Sequence, residues 1–176
     1  MNPALRNKLI AASAGGTLAI AAALGAWYEG EGPTEVIGGV TYNVSYVDAV
    51  GVWTVCRGLT GPVAGPGKKY PAARCREMEE ERLAAFEVDV RRLIISYDMY
   101  NQWRQAALVD FAYNAGTGNL ASSTMRVKFN SGDDVGGCRE LARWVKGRVK
   151  GILTTLKGLV LRRADEMDLC MNWSTP

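Results

Sequence analysis

The 176-residue chain contains no histidine. That absence removes Ser-His-Asp hydrolases, Cys-His peptidases and every zinc site that needs an imidazole ligand. Acid–base chemistry then falls to Asp, Glu, Lys, Tyr or Cys. There is no Cys-x-x-Cys pair to begin a thiolate metal site, so no metal is expected. No phosphate-binding loop or dinucleotide fingerprint occurs, and no cofactor is expected. An excess of one charge sign is also missing. The 21 basic and 18 acidic residues leave a net +3, too mild to indicate a nucleic-acid partner. No repeat, low-complexity tract or linker divides the chain. What remains is 48% hydrophobic and 22% charged, the balance of a folded protein long enough to bury a core unaided.

The first 28 residues lack acids altogether. Arg6 and Lys8 precede twenty uncharged residues, Leu9 to Tyr28, and Glu29 closes the run. A helix of that length spans roughly 30 Å, a bilayer's hydrocarbon thickness. Basic residues ahead of it favour a cytoplasmic N-terminus and an exported remainder. The run is weakly apolar, with eight Ala, three Gly and only five Leu or Ile. Three readings follow. The segment is a signal peptide cut near Ala23-Leu24-Gly25, a buried Ala-rich core helix, or a signal anchor weak enough to leave the membrane. The third is the expectation taken forward.

Four cysteines, Cys56, Cys75, Cys138 and Cys170, all follow the apolar run. An even number on the exported side suggests disulfides. Three connectivities are open, and the sequence-local one is Cys56–Cys75 with Cys138–Cys170. Four reduced, buried thiols are the alternative.

Residues 33–60 read as short strands, with Gly38-Gly39 as a hairpin turn between Val36-Ile37 and Val40-Thr41-Tyr42. From about Ala72 the apolar spacing becomes helical, over Glu77 to Tyr97 and again over Tyr100 to Tyr113. Ser122-Ser123-Thr124 and Asp133 or Asp134 look like N-caps, and a last helix is expected over Thr155 to Met171. The segregation of strands and helices predicts an α+β fold. It has an N-terminal segment (1–28) and a domain (29–176) with a β lobe near 33–60 and a helical lobe near 72–171.

Without histidine, carboxylates are the candidates for chemistry. Asp48 and Thr54 are six residues apart, so continuous strand or a turn at Gly51 brings them together. Glu29, Glu31 and Glu35 offer a second carboxyl. Glu29 falls at the predicted C-terminal end of the apolar helix, with Gly30 as its C′ residue. There the helix dipole disfavours a negative charge, and Trp27 and Tyr28 add desolvation. Both effects suit a general acid. Eight basic residues against one acid between Arg139 and Arg163 suit anionic polymers or a solvated face. Asn114 and Asn119 are groove candidates, whereas Trp103 and Trp144 have core spacing.

Glu-Gly at the end of a first helix, then Tyr46-Val47-Asp48 and Gly51-Val52-Trp53-Thr54-Val55-Cys56 with Gly58, resembles the phage lysozymes, glycoside hydrolase family 24. Two further blocks agree: Phe111 to Asn119 with Lys128 to Asp133, and Gly158 to Arg163. The whole is similar to signal-anchor-release endolysins of Gram-negative phages. The resemblance implies a lysozyme-like fold and a muramidase with a Glu, Asp, Thr triad. The Glu protonates the glycosidic oxygen between N-acetylmuramic acid and N-acetylglucosamine. Asp48 and Thr54 hold a water on the opposite face, the inverting arrangement. The family's short form has eight residues between Glu and Asp, which lands here on Gly39. An inserted hairpin explains the shift and leaves Glu29 as the acid, Glu31 as the alternative and Glu35 third. Leu59 stands where relatives often carry His. The resemblance also implies peptidoglycan as partner and a monomer. It implies export to the host periplasm, at first tethered to the inner membrane through a segment that later becomes helix 1. A lytic transglycosylase and a non-catalytic lysis-accessory protein are the alternatives.

Overall fold

A computed structural model describes residues 1–30, 32–48, 51–149 and 151–173. Glu31 and Lys150, one of the eight basic residues of the sequence reading, lie outside them. The fold is α+β, and the chain forms two compact units, residues 25–82 and residues 1–24 with 83–176.

The unit of residues 25–82 holds most of the sheet. Strands β1 (Thr34–Ile37) and β2 (Val40–Val44) form the predicted hairpin, Ile37 opposite Val40. Gly38 and Gly39 take φ of +58° and +80°, as a turn matched to strand twist requires. Strands β3 (Tyr46–Val47), β4 (Trp53–Val55) and β5 (Leu59–Thr60) make a second small sheet. Strand β6 (Lys69–Pro71) completes the first sheet in the order β1-β2-β6. Val55, Cys56, Leu59, Ala64, Cys75 and Met78 form the core beneath them. The Cys56–Cys75 disulfide closes a loop with a separation of 19 residues. It ties Cys56, held at the left-handed φ of +55°, into that core.

The other unit is mainly helical. Its N-terminal segment is not one straight helix. Helix α1 (Pro3–Ala12) starts on Asn2, whose side chain accepts the Ala4 N–H, and α2 (Gly16–Tyr28) follows a short 3-10 turn. Gly16, at φ +76°, makes the break, because consecutive glycines leave the backbone free to depart from the helix. The stretch Pro3–Tyr28 is nonetheless long and apolar enough to cross a membrane, by length and composition. Within this unit the segment buries Leu5, Leu9, Ile20, Ala21 and Leu24. Thr17 donates to Gln105 Oε1 at 2.7 Å.

Helices α3 (Ala72–Leu93), α4 (Gln102–Ala115), α5 (Thr117–Ala121), α6 (Thr124–Asn130), α7 (Asp134–Glu140) and α8 (Lys157–Asn172) follow. Two expected caps form: Ser123 accepts the Arg126 N–H, and Asp133 accepts the Gly136 N–H. Strands β7 (Lys146–Val149) and β8 (Ile152–Thr155) add a hairpin that the sequence reading missed. Its basic residues had been counted only as a charged run. Two of the eight basic residues in that run, Arg162 and Arg163, are buried, so the run is not one solvated face. The second disulfide joins Cys138 of α7 to Cys170 of α8, which gives the sequence-local pairing throughout. By loop-closure entropy each bridge contributes about 3 to 4 kcal/mol.

Candidate active site

Asp48 and Thr54 meet because a tight turn folds β3 back onto β4. Tyr46 pairs with Thr54, and Val47 with Trp53. The Asp48 N–H then donates to Val52 O at 2.9 Å, and the Gly51 N–H donates to Asp48 O at 3.0 Å. With that carbonyl engaged, the Val52 N–H donates to the Asp48 side chain, Oδ1, at 2.9 Å. Gly51 sits at φ +85°, where a side chain would be strained. Of the two routes open from sequence, the turn at Gly51 is the one taken. The carboxylate is thus held to its own hairpin through Oδ1, and its Oδ2 faces Thr54.

Thr54 lies two residues beyond Val52, on the strand face it shares with Asp48. Its hydroxyl is 3.5 Å from Asp48 Oδ2 and 3.2 Å from Val52 O. The carbonyl is the nearer acceptor for the single hydroxyl proton. At 3.5 Å the carboxylate and hydroxyl are spaced to share a third partner, each about 2.8 Å from it. Thr54 is only 3% exposed, so its rotamer is fixed by packing.

Glu29 follows the last residue of α2. Its N–H donates to Gly25 O at 2.9 Å and so closes the last turn of α2; its side chain is half-buried. Gly30 does not take the left-handed C′ conformation expected from sequence, since its φ is not positive. A Cβ on Gly30 would meet nothing within 4 Å, so neither crowding nor conformation within the protein demands glycine there. Gly32 differs. A Cβ there would come within 2.8 Å of the Tyr46 ring and 3.3 Å of Cys56 O. Gly32 therefore lies close against the hairpin that carries Asp48 and Thr54.

The excursion between these groups closes on itself. The Val44 N–H donates to Pro33 O at 2.9 Å, just outside the Thr34–Asn43 pair. Residues 34–43 leave and return at one point. Skipping them leaves four residues, 30–33, and four more, 44–47, between Glu29 and Asp48.

The other carboxyl candidates separate. Glu35 accepts from Lys69 Nζ at 2.5 Å in a half-exposed pair across the sheet, which gives it a surface role. Glu31 lies outside the described residues. Asn114 and Asn119 belong to the helical unit. Asn114 Oδ1 accepts from the Arg163 guanidinium, and Asn119 Nδ2 donates to Ala115 O at 2.7 Å in the helix end.

Two charged groups escaped the sequence reading. Glu79 binds the Arg57 N–H at 3.2 Å and its guanidinium at 3.4 Å; burial pushes its carboxyl up, against the pull of Arg57. The second is a buried network of Asp110, Arg162, Arg163 and Glu166 between α4 and α8. Its signal was present in the sequence as an acid inside the apolar stretch of α4 and three ionisable residues within one turn of α8.

Residues 35–166 match the profile of the family described as phage lysozyme. The match includes Asp48 and Thr54 and begins after Glu29 and Glu31. The chain is 40% identical over 173 residues to the SAR-endolysin of bacteriophage PS119, spanning 97% of this chain and 96% of that one. The endolysin of the Escherichia coli phage FAHEc1 superposes with a TM-score of 0.68 at 25% identity, over 89% of this chain and 92% of that one. The muramidase domain of SpmX from Asticaccaulis excentricus shares the fold, with a TM-score of 0.73 at 22% identity over 89% and 95% of the two chains. Fold and relatives together define a glycoside hydrolase of the lysozyme type. The chain belongs to the phage lysozyme family, as an endolysin.

Proposed function

We propose that the protein is a muramidase that cleaves the β-1,4 bond between N-acetylmuramic acid and N-acetylglucosamine in peptidoglycan and so lyses the host cell. Glu29 is the general acid. It gives its proton to the glycosidic oxygen as the bond to the anomeric carbon breaks. Asp48 Oδ2 and the Thr54 hydroxyl hold a water on the other face of the sugar, and Asp48 takes its proton as it attacks. The product is inverted, and the acid and base end the cycle with exchanged protonation states. The observation that carries this reading is the spacing of Asp48 Oδ2 and Thr54 Oγ1 across the hairpin, 3.5 Å. A lytic transglycosylase needs no such water and would have no use for the pair. Closure of the 34–43 hairpin supports Glu29 over Glu31, because it leaves the eight-residue separation of the family's short form only for Glu29.

The N-terminal segment, residues 1–28, fits a membrane anchor by its apolar length, and SAR-endolysin relatives fit export. In this proposal it first tethers the enzyme to the inner membrane, facing the periplasm. On release its helices α1 and α2 pack as the first helical segment of the enzyme, ahead of the domain of residues 29–176. The enzyme acts as a monomer.

The test is a digest of isolated peptidoglycan with mass spectrometry of the soluble fragments. Muropeptides with reducing N-acetylmuramic acid ends are expected; anhydro ends would overturn the hydrolase in favour of a transglycosylase. In the same assay Thr54→Val, which keeps the shape and removes the hydroxyl, lowers kcat about 10²-fold with KM little changed. A variant as active as the parent refutes the role of Thr54 in holding water.

A further inference from the structure

Beside the N-terminal segment the helical unit opens a cleft of about 370 Å³, within the size range of small-ligand sites. Arg6 and Ser13 of the segment line one side. Trp103 of α4 and Asp168, Asn172 and Trp173 at the end of α8 line the other. None of these residues takes part in the chemistry proposed above.

The two indoles are in contact, centroids 4.6 Å apart and tilted by 57°. Arg6 lies over the Trp173 ring at 5.4 Å from its centroid. Trp173 Nε1 donates to Asp168 Oδ2 at 3.4 Å, and Asn172 Nδ2 donates to Asp168 Oδ1 at 2.8 Å. Trp103 is 3% exposed, and its indole N–H is buried without an acceptor among the described residues. A buried donor left unpaired costs about 1 to 3 kcal/mol, so a site that retains one is suited to a ligand that brings the acceptor.

We infer that this cleft binds an N-acetylated amino sugar of the glycan strand, with the acetamide carbonyl accepting from Trp103 Nε1. The lining chemistry selects that class. The partly exposed Trp173 indole offers apolar surface to the C–H side of a pyranose, and polar edges around it orient the ring. Asp168 and Asn172 present planar polar groups of the kind that pair with adjacent hydroxyls. Arg6 and Asp168 cancel in charge, which favours a neutral polar ligand over a phosphate or carboxylate. The inference rests on peptidoglycan being this lysozyme's polymer. Because one wall is the N-terminal segment, occupancy also holds that segment docked. Ligand at ten times its Kd shifts the docked population by about tenfold, by mass action.

The experiment is a titration of the purified full chain with the β-1,4-linked trimer of N-acetylglucosamine, followed by the five indole N–H signals in an NMR spectrum. The Trp103 signal is expected to move saturably. Trp103→Phe, which keeps the ring and deletes the donor, and Asn172→Ala, at an exposed helix end, should each weaken that isotherm about tenfold, read for Trp103→Phe at Trp173. Both should retain cleavage of soluble glycan chains. A Trp103 signal that does not respond overturns the inference, as does an isotherm unchanged in both variants. Loss of cleavage by the parent enzyme would instead strike the muramidase reading, so the two failures are distinguishable. Movement of Trp53 alone would place the sugar at the Asp48 hairpin and also overturn it.

Discussion

Glu29→Gln should lose peptidoglycan cleavage by about 10³-fold or more, while its thermal midpoint and folding stay those of the parent. Gln keeps the shape and hydrogen-bonding reach of the side chain but holds no proton to deliver. General acids contribute typically ~10² to 10⁴ in rate, and a glycosidic oxygen is a poor leaving group without one. The N–H of residue 29 still donates to Gly25 O after the side-chain exchange. Glu31→Gln is the matched comparison, expected to stay within about threefold of the parent if Glu29 alone supplies the proton. The measurement is the initial rate on purified peptidoglycan, with circular dichroism melts of each variant. Loss confined to Glu31→Gln would refute the assignment. The hairpin would then have to be counted differently, since skipping residues 34–43 leaves only six residues between Glu31 and Asp48.

That assignment shows what the sequence could and could not reveal. Short-range chemistry was legible. Gly38-Gly39 marked a turn because few other residues take two successive left-handed angles. Ser123 and Asp133 marked helix starts because a short oxygen-bearing side chain satisfies an orphan N–H. The Asp48–Thr54 pair followed from Gly51 and the strand character on either side. What depended on distant partners was not legible. Asn114 is a groove candidate from sequence, and nothing local announces that its amide oxygen is engaged by Arg163, 49 positions away. The β7–β8 hairpin was hidden because its strands mix charged, glycine and apolar residues without clean alternation, and nearly all of it is exposed. The break at Gly16 was visible as a glycine pair. Counting apolar length alone passed over it, because hydropathy carries no information about φ.

The largest stability effect is expected from Arg162→Met. Arg162 sits at 3% exposure between α4 and α8 and binds Asp110 with both prongs of its guanidinium, Nε to Oδ2 at 2.9 Å and Nη2 to Oδ1 at 2.7 Å. Its Nε is also 3.5 Å from Glu166 Oε1. Arg163, fully buried beside it, reaches Glu166 Oε2 at 2.8 Å and lies over the Phe111 ring. Two acids and two bases thus lie together in a buried interface. Met fills the volume of the side-chain stem but leaves two carboxylates with one cation. Breaking a buried pair by removing one partner costs about 3 to 5 kcal/mol, because the other charge stays desolvated. For a chain of this length that lowers Tm by roughly 6 to 20 °C. The pH dependence has a definite sign. Burial and the Asp110 carboxylate hold Glu166 well above the usual carboxylate range, against the pull of the two guanidiniums. The folded state therefore keeps this proton more tightly than the unfolded state does. The stability linked to it is fully present below the unfolded value, about 4.3, and is lost as pH rises through the folded one. Without Arg162 the carboxyl rises further, so the deficit is greatest near neutrality and shrinks on acidification. Arg162→Met combined with Glu166→Gln, which removes the uncompensated charge, should recover a large part of the loss. Melts between pH 4 and pH 8 test this. A single variant within 2 °C of the parent at neutral pH, or a deficit that grows as pH falls, would show that the interface does not hold these charges as an interdependent set.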